Sequence, residues 1–247
     1  MPRVLILGGT TEAAALAGIL SGWPGLDVIV SLAGRTRTPG RIAGEMRIGG
    51  FGGPQGLAFY LHEQSIDVLI DATHPFAEQM SRHAVLAAEQ VRVPRLRLVR
   101  PLWEKQPGDH WVDAIDAVDA AGFLPDLGRR AFLTTGHRDL AAFAGLDDIW
   151  FLIRTIEPVA PGPLPRQVHF LRARGPFDET AEIALLQEHR IDALITKASG
   201  GEATYAKITA ARRLGLPVIM IQRPDLPPGP VVHDTESAQS WLRQVIA

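Results

Sequence analysis

The chain has 247 residues, 46% of them apolar, with a formal net charge of −2. That length fits one large domain or two small ones, and that apolar share supports a buried core. The charge leaves no basic excess for nucleic acid, and the absence of cysteine excludes disulfides, iron–sulfur clusters, thiolate zinc sites and a cysteine nucleophile.

In chain order, the opening MPRVLILGG has too short an apolar run for a signal peptide, and no window offers the roughly 18 apolar residues of a membrane span. A soluble cytoplasmic protein is the expectation. Residues 3–7 read as a strand that runs into Gly8-Gly9-Thr10-Thr11-Glu12 and then a helix over 11–21. The dinucleotide fingerprint G-x-G-x-x-G is missing, since the next glycine after Gly9 is Gly18. The turn is therefore either a variant phosphate turn or a plain tight turn. Its place favours the first reading: backbone N–H groups at a helix N-terminus suit an anion, and Thr10 and Thr11 add hydroxyls and a cap.

A second strand over 27–32 leads to SLAGRTRTPGR, residues 31–41. An NAD site would show an acidic residue here to accept from the ribose hydroxyls. Arg35, Arg37 and Arg41 stand there instead, with Ser31 as a further contact, which favours a 2′-phosphate and so NADP; otherwise this is a solvated basic loop. Strands over 46–49 and 67–71 and a helix over 54–64 follow. The fourth strand ends in DATHPF. His74 reads as an acid or base, as a metal ligand without a suitably placed partner, or, with Thr73, as a turn that lines the cofactor site. Pro75 suits the first position of a helix over 76–91. A strand over 95–99 ends in Arg100-Pro101.

Residues 102–129, with Pro107, Gly108, Gly122, Pro125 and Gly128, read as a bridge. Beyond it the order repeats. Strands fall over 130–134, 149–154, 168–171, 192–196 and 217–221, and helices over 138–144, 178–189 and 202–214; 158–165, with four prolines, is a loop. Arg3, Asp67, Pro94 and Arg100 match Arg130, Asp192, Pro217 and Arg223 at offsets of 127, 125, 123 and 123 residues. PRLRLVRP and PVIMIQRP are the closest pair of segments. Such spacing points to a duplicated unit. Continuous apolar strands alternating with amphipathic helices predict an α/β fold of two Rossmann-like, doubly wound parallel-sheet domains, at 1–101 and 102–247, with the tail helix from Glu236 on the second half.

The second half carries its own strand-end turns. Thr134-Thr135-Gly136-His137-Arg138 copies the first turn, and Lys197-Ala198-Ser199-Gly200-Gly201 is a glycine-rich anion turn without the Walker order. Lys197, Ser199 and Arg138 are candidates for carboxylates or phosphate. A lysine at a helix start, pointing to water, is the bland alternative.

GGTTE, DATHPFA, LTTGHRDL and ITKASGG followed by AARRLGLPVIMIQRP resemble the precorrin-6A and cobalt-precorrin-6A reductase family over residues 4–224. The resemblance implies two Rossmann-like domains that exchange a strand, and the two Pro-to-Arg-Pro strands become the candidates for exchange. It implies NADPH as cofactor and reduction of one double bond of a tetrapyrrole in cobalamin biosynthesis, with the macrocycle in the cleft between the halves. Cofactor residues would be Gly8, Gly9, Thr10, Thr11, Glu12, Ser31, Arg35, Arg37, Thr73, His74 and Pro75. Arg138, Arg154, Lys197, Ser199, Gly200 and Gly201 would hold substrate carboxylates on the second domain, with Arg172 and Arg174 adding charge. Lys197, His74 and Glu202 are the candidate acids, Asp71 a weaker one. No metal, nucleic acid or membrane partner is expected, and a monomer is compatible with the sequence. The competing readings are another NADP-dependent reductase and a non-catalytic sensor. Against a short-chain reductase, Tyr205 is followed by Lys207 rather than by a lysine four positions on.

Overall fold

The structure is a computed structural model that describes residues 1–34, 43–225 and 227–246. Arg35, Arg37 and Arg41 lie outside the described residues. The chain divides into two compact units, one of Met1–Pro101 with Pro224–Ala247, the other of Leu102–Arg223.

The first unit begins with β1 (Arg3–Leu7), α1 (Thr11–Leu20), β2 (Asp27–Leu32) and β3 (Glu45–Ile48). It continues with α2 (Pro54–Glu63), β4 (Val68–Asp71), α3 (Glu78–Val91) and β5 (Arg95–Leu98). The second holds β6 (His110–Ala114), α4 (Ala117–Leu127), β7 (Arg130–Leu133), a 3-10 stretch His137–Phe143, β8 (Trp150–Thr155) and β9 (Gln167–Arg172). It ends with α5 (Glu179–Glu188), β10 (Ala193–Lys197), a 3-10 turn Glu202–Thr204, α6 (Ala206–Arg213) and β11 (Pro217–Ile221). The chain then returns to the first unit through β12 (Val231–Val232) and α7 (Thr235–Val245).

Each unit holds a six-stranded parallel sheet, in the orders β12-β5-β4-β1-β2-β3 and β6-β11-β10-β7-β8-β9. In both, the strand order reverses beside one inner strand, β1 or β7, which is where an open α/β sheet opens a crevice at its carboxyl edge. The sixth strand of each sheet comes from the far side of the chain: β6 follows β5 but pairs with β11, and β12 follows β11 but pairs with β5. The exchanged elements are therefore β6 and β12. The two Pro-to-Arg-Pro strands, β5 and β11, stay in their own sheets, and the tail packs on the first unit rather than the second. Arg97 N donates to Pro230 O and Val99 N to Val232 O, so the returning segment completes the ladder. Ala238 and Leu242 of α7 are buried in the same core as Val4, Ile6 and Leu16.

Strand residues alternate between two buried faces. Val4, Ile6, Val28 and Val30 meet α1 and α7, while Leu5, Leu7, Ile29 and Leu69 meet α2 and α3 through Leu57, Leu61 and Ala84. That double cover is why the strands read as continuously apolar. In the second unit Phe132, Leu152 and Met220 face Leu186, Ile208 and Ala211.

The duplication extends to individual bonds. Arg3 N donates to Asp67 Oδ2 at 2.7 Å and Arg130 N to Asp192 Oδ2 at 2.9 Å. The Arg3 guanidinium reaches Gln64 O and that of Arg130 reaches His189 O, both at 2.7 Å. Ser65 and Arg190 end equivalent helices at φ of 49° and 50°.

Residues 102–129, expected as a bridge, contain β6 and α4. Asp116 caps α4 by accepting from the N–H groups of Val118 and Asp119, and Pro125 falls in the last turn, where the helix is ending in any case. The stretch expected as a helix over 138–144 is a 3-10 segment, and that over 202–214 is a 3-10 turn followed by α6. No helix of the described residues is long and apolar enough to cross a membrane.

Candidate functional site

The first strand–helix turn sits at the switch point between β1 and β4. Gly8 N donates to Ser31 O at 2.9 Å, and a Cβ on Gly8 would stand 3.1 Å from Val30 Cγ1, so a larger residue would have to push the Val30 side chain aside. Gly9 has φ of +112°, a conformation that strains any L side chain, and the space a Cβ would take is open. Thr10 caps α1: its hydroxyl accepts from Ala13 N at 3.1 Å and donates to Ala72 O at 2.8 Å, tying the turn to the end of β4. Among the described residues the N–H groups of Gly9, Thr10 and Thr11 find no acceptor. Three donors without a protein acceptor at the positive end of α1 are suited to an anion. The Glu12 carboxylate turns aside to Arg100, Nη1 to Oε2 at 3.2 Å, which removes a repelling charge from this turn.

The DATHPF turn is built on a buried ion pair. Arg97 of β5 donates to Asp71, Ser81 and Thr73, and both Arg97 and Asp71 are buried. Asp71 Oδ1 in turn accepts from Thr73 N at 3.1 Å and Thr73 Oγ1 at 2.7 Å. The Thr73 hydroxyl, expected toward the cofactor, therefore points into this cluster. His74 Nδ1 accepts from Phe76 N at 3.2 Å, so the neutral ring carries its proton on Nε2. Pro75 precedes α3 by three residues rather than opening it.

At the carboxyl ends of β2 and β3, Ser31 is register-paired with Arg47. The Arg47 guanidinium donates to Ser31 Oγ at 3.3 Å, Gly49 O at 2.6 Å and Gly50 O at 2.8 Å. It lies 3.9 Å from the Phe51 ring centroid and 5.0 Å from that of Tyr60. Burial pushes the Tyr60 phenol above its ordinary value of 10.0 while Arg47 draws it down.

In the second unit Lys197 closes β10 with Nζ 2.7 Å from Asp139 Oδ2 and 3.0 Å from Thr135 O. This bond brings the β7 and β10 turns together. Gly200 and Gly201, at φ of +67° and +80°, follow as an anion-type turn. Arg223 holds that turn from behind, donating to Ala198 O at 2.8 Å and Ser199 O at 2.9 Å, and Trp103 Nε1 donates to Gly201 O at 3.0 Å. Arg138 and Glu202 are exposed, as are Arg172 and Arg174. Arg154, expected as a substrate contact, is buried, paired with Glu182 and stacked 4.0 Å from the Phe177 centroid.

Sequence reading missed Arg47, Arg97 and Asp139. Arg47 and Arg97 gain their places only from strand register, which no motif announces. The paired Arg-Pro endings did signal Arg100 and Arg223, and both brace a strand-end turn.

Known proteins match nearly the whole chain. The family model described as precorrin-6x reductase CbiJ/CobK matches residues 3–243. A Rhodococcus erythropolis protein named precorrin-6A reductase is 51% identical over 98% of each chain. A Synechocystis sp. protein named cobalt-precorrin-6A reductase is 30% identical, covering 99% of this chain and 97% of that one. A solved structure named CobK precorrin-6A reductase matches with a TM-score of 0.94 at 39% identity, over 100% of this chain and 98% of the other.

Proposed function

The chain belongs to the precorrin-6x reductase family, and on that premise we propose that it catalyses the NADPH-dependent reduction of one double bond of precorrin-6A in cobalamin biosynthesis. Bound NADPH supplies the hydride. The observation that carries the cofactor assignment is the set of orphan N–H groups over Gly9, Thr10 and Thr11, which fits a dinucleotide phosphate. Gly8 and Gly9 leave room for it, Glu12 is held off by Arg100, and Ser31 stands where an NAD site would need a carboxylate. Arg35 and Arg37, outside the described residues, extend the same assignment.

The substrate side is assigned to the second unit. A precorrin carries several acetate and propionate groups, which call for fixed cations and N–H donors. Lys197, Arg138, Ser199, Gly200 and Gly201 supply these, and Asp139 with Thr135 O fixes the Lys197 ammonium in place. Arg154 serves by bracing β8 against α5 through Glu182 rather than by touching a substrate carboxylate. Reduction also places a proton on the second carbon. Lys197 positions or protonates the substrate, with His74 and Glu202 as the other candidate acids. The metal-free substrate is favoured because the 51% relative bears that name and the cobalt-named one stands at 30%.

The test is an anaerobic visible-spectrum assay with precorrin-6A, comparing NADPH with NADH. A shift of the macrocycle spectrum matched by loss of reduced nicotinamide, faster with NADPH, is the expected result. A shift only with the cobalt form would move the chain to that substrate. No shift with either would leave a nucleotide-binding protein without this activity. Lys197→Ala is expected to lose turnover or substrate affinity; full retention of both sinks its role.

A further inference from the structure

The structure points to Arg47, on β3, as a residue that selects the 2′-phosphate of the cofactor's adenosine, with Ser31 as its partner. The inference rests on the NADPH reading above and adds a selector whose position only the fold supplies. Three connected observations carry it. First, Ser31 O accepts from Gly8 N, so the end of β2 is bonded directly to the phosphate turn. A dinucleotide whose phosphates sit on that turn extends its adenosine ribose over the ends of β2 and β3. Second, the register sets Arg47 opposite Ser31, and its guanidinium touches the Ser31 hydroxyl at 3.3 Å. No acidic side chain stands at the described end of β2, residues 31–34, so this cation has no competitor for an anion there.

Third, the guanidinium is fixed and still has capacity. Gly49 O, Gly50 O and Ser31 Oγ take three of its five N–H donors, and the Phe51 ring backs one face. The Nε–H and one Nη2 hydrogen have no acceptor among the described residues. Nε and Nη2 share one edge of the planar group, the edge that can take two oxygens of a phosphate at once. Two carbonyls and an aromatic face hold the side chain in one orientation before any ligand arrives, so little rotamer entropy is lost on binding.

The experiment is calorimetric binding of 2′,5′-ADP and of 5′-AMP to the wild-type protein and to Arg47→Met, which keeps an apolar stem against Phe51. Wild type is expected to bind 2′,5′-ADP much the more tightly. Arg47→Met should lose about ten- to hundredfold in affinity for 2′,5′-ADP while its 5′-AMP affinity stays within about twofold. If wild type prefers 2′,5′-ADP and Arg47→Met keeps that preference, the assignment of Arg47 is overturned and the NADPH reading stands. If wild type shows no preference, the NADPH reading fails and takes this one with it. Should Arg47→Met lose 5′-AMP binding as well, Arg47→Lys decides. It keeps the charge without the fork and is expected to show an intermediate preference, whereas an unchanged preference overturns the assignment.

Discussion

Single residues do most to shape the two turns. Gly9 adopts a φ that only glycine takes without strain, next to N–H groups that have no acceptor in the protein. Gly9→Val should therefore weaken NADPH binding by at least about tenfold, measured by quenching of protein fluorescence, with little change in the unfolding temperature of the second unit. The Asp71–Arg97 pair is a different case, because both partners are buried and Asp71 also anchors Thr73. Removing one partner leaves an uncompensated charge. Arg97→Met should cost about 3–5 kcal/mol of stability in denaturant unfolding, and Arg97→Met with Asp71→Leu should recover much of it. A double variant no more stable than Arg97→Met would show that the pair is not coupled.

Secondary-structure elements are set by local signals where caps are explicit. Asp116, Asp178 and Asp234 each cap a helix, and each stands as an acidic residue just before an apolar-periodic stretch. At α7 the Ser237 N–H, then its hydroxyl, hold the Asp234 carboxyl below its ordinary value of 3.8. A carboxyl depressed in the folded state contributes stability that is present above that value and lost as pH falls through the folded one. Asp234→Ala should destabilise the first unit by about 1 kcal/mol at neutral pH, and the difference from wild type should shrink as pH drops below about 4. A gap that widens on acidification would contradict this sign. The reading of α4 failed for a local reason too: Gly122 and Pro125 look like breakers, yet Asp116 secures the start and Pro125 costs only a last-turn bond.

At the scale of the whole molecule, β12 and α7 bind the end of the chain into the first unit. Val231 and Val232 pair with Arg97 and Leu98, and α7 buries Ala238 and Leu242 against the α1 face of the sheet. A chain ending at Arg223 would expose that apolar face and leave β5 as a bare edge. Such a truncation should abolish NADPH binding and make residues 1–101 sensitive to protease, while the 102–223 unit stays resistant. Equal resistance of both units would refute the dependence. The converse exchange, β6 into the second sheet, is untouched and leaves the second unit intact in this variant, so the two outcomes are separable by mass spectrometry of the fragments.

Much of the fold was legible because its causes are local or periodic. Continuous apolar strands, helix spacing and the 123–127-residue offsets report double-sided burial and duplication, and each is a pattern along the chain that needs no tertiary contact to be read. The strand-end turns were legible as well, since Gly8–Glu12 and Lys197–Gly201 carry glycines and hydroxyls where a turn needs them. Tertiary structure alone decided which sheet the sixth strands join, because a parallel strand's partner depends on a crossover and not on its own two or five residues. It alone turned Thr73 and Arg154 inward, since a buried carboxylate captures each: Asp71 is itself held by Arg97 from the neighbouring strand, and Glu182 lies 28 residues from Arg154. It alone brought Arg47 beside Ser31, because sheet register joins residues 16 positions apart that no motif links.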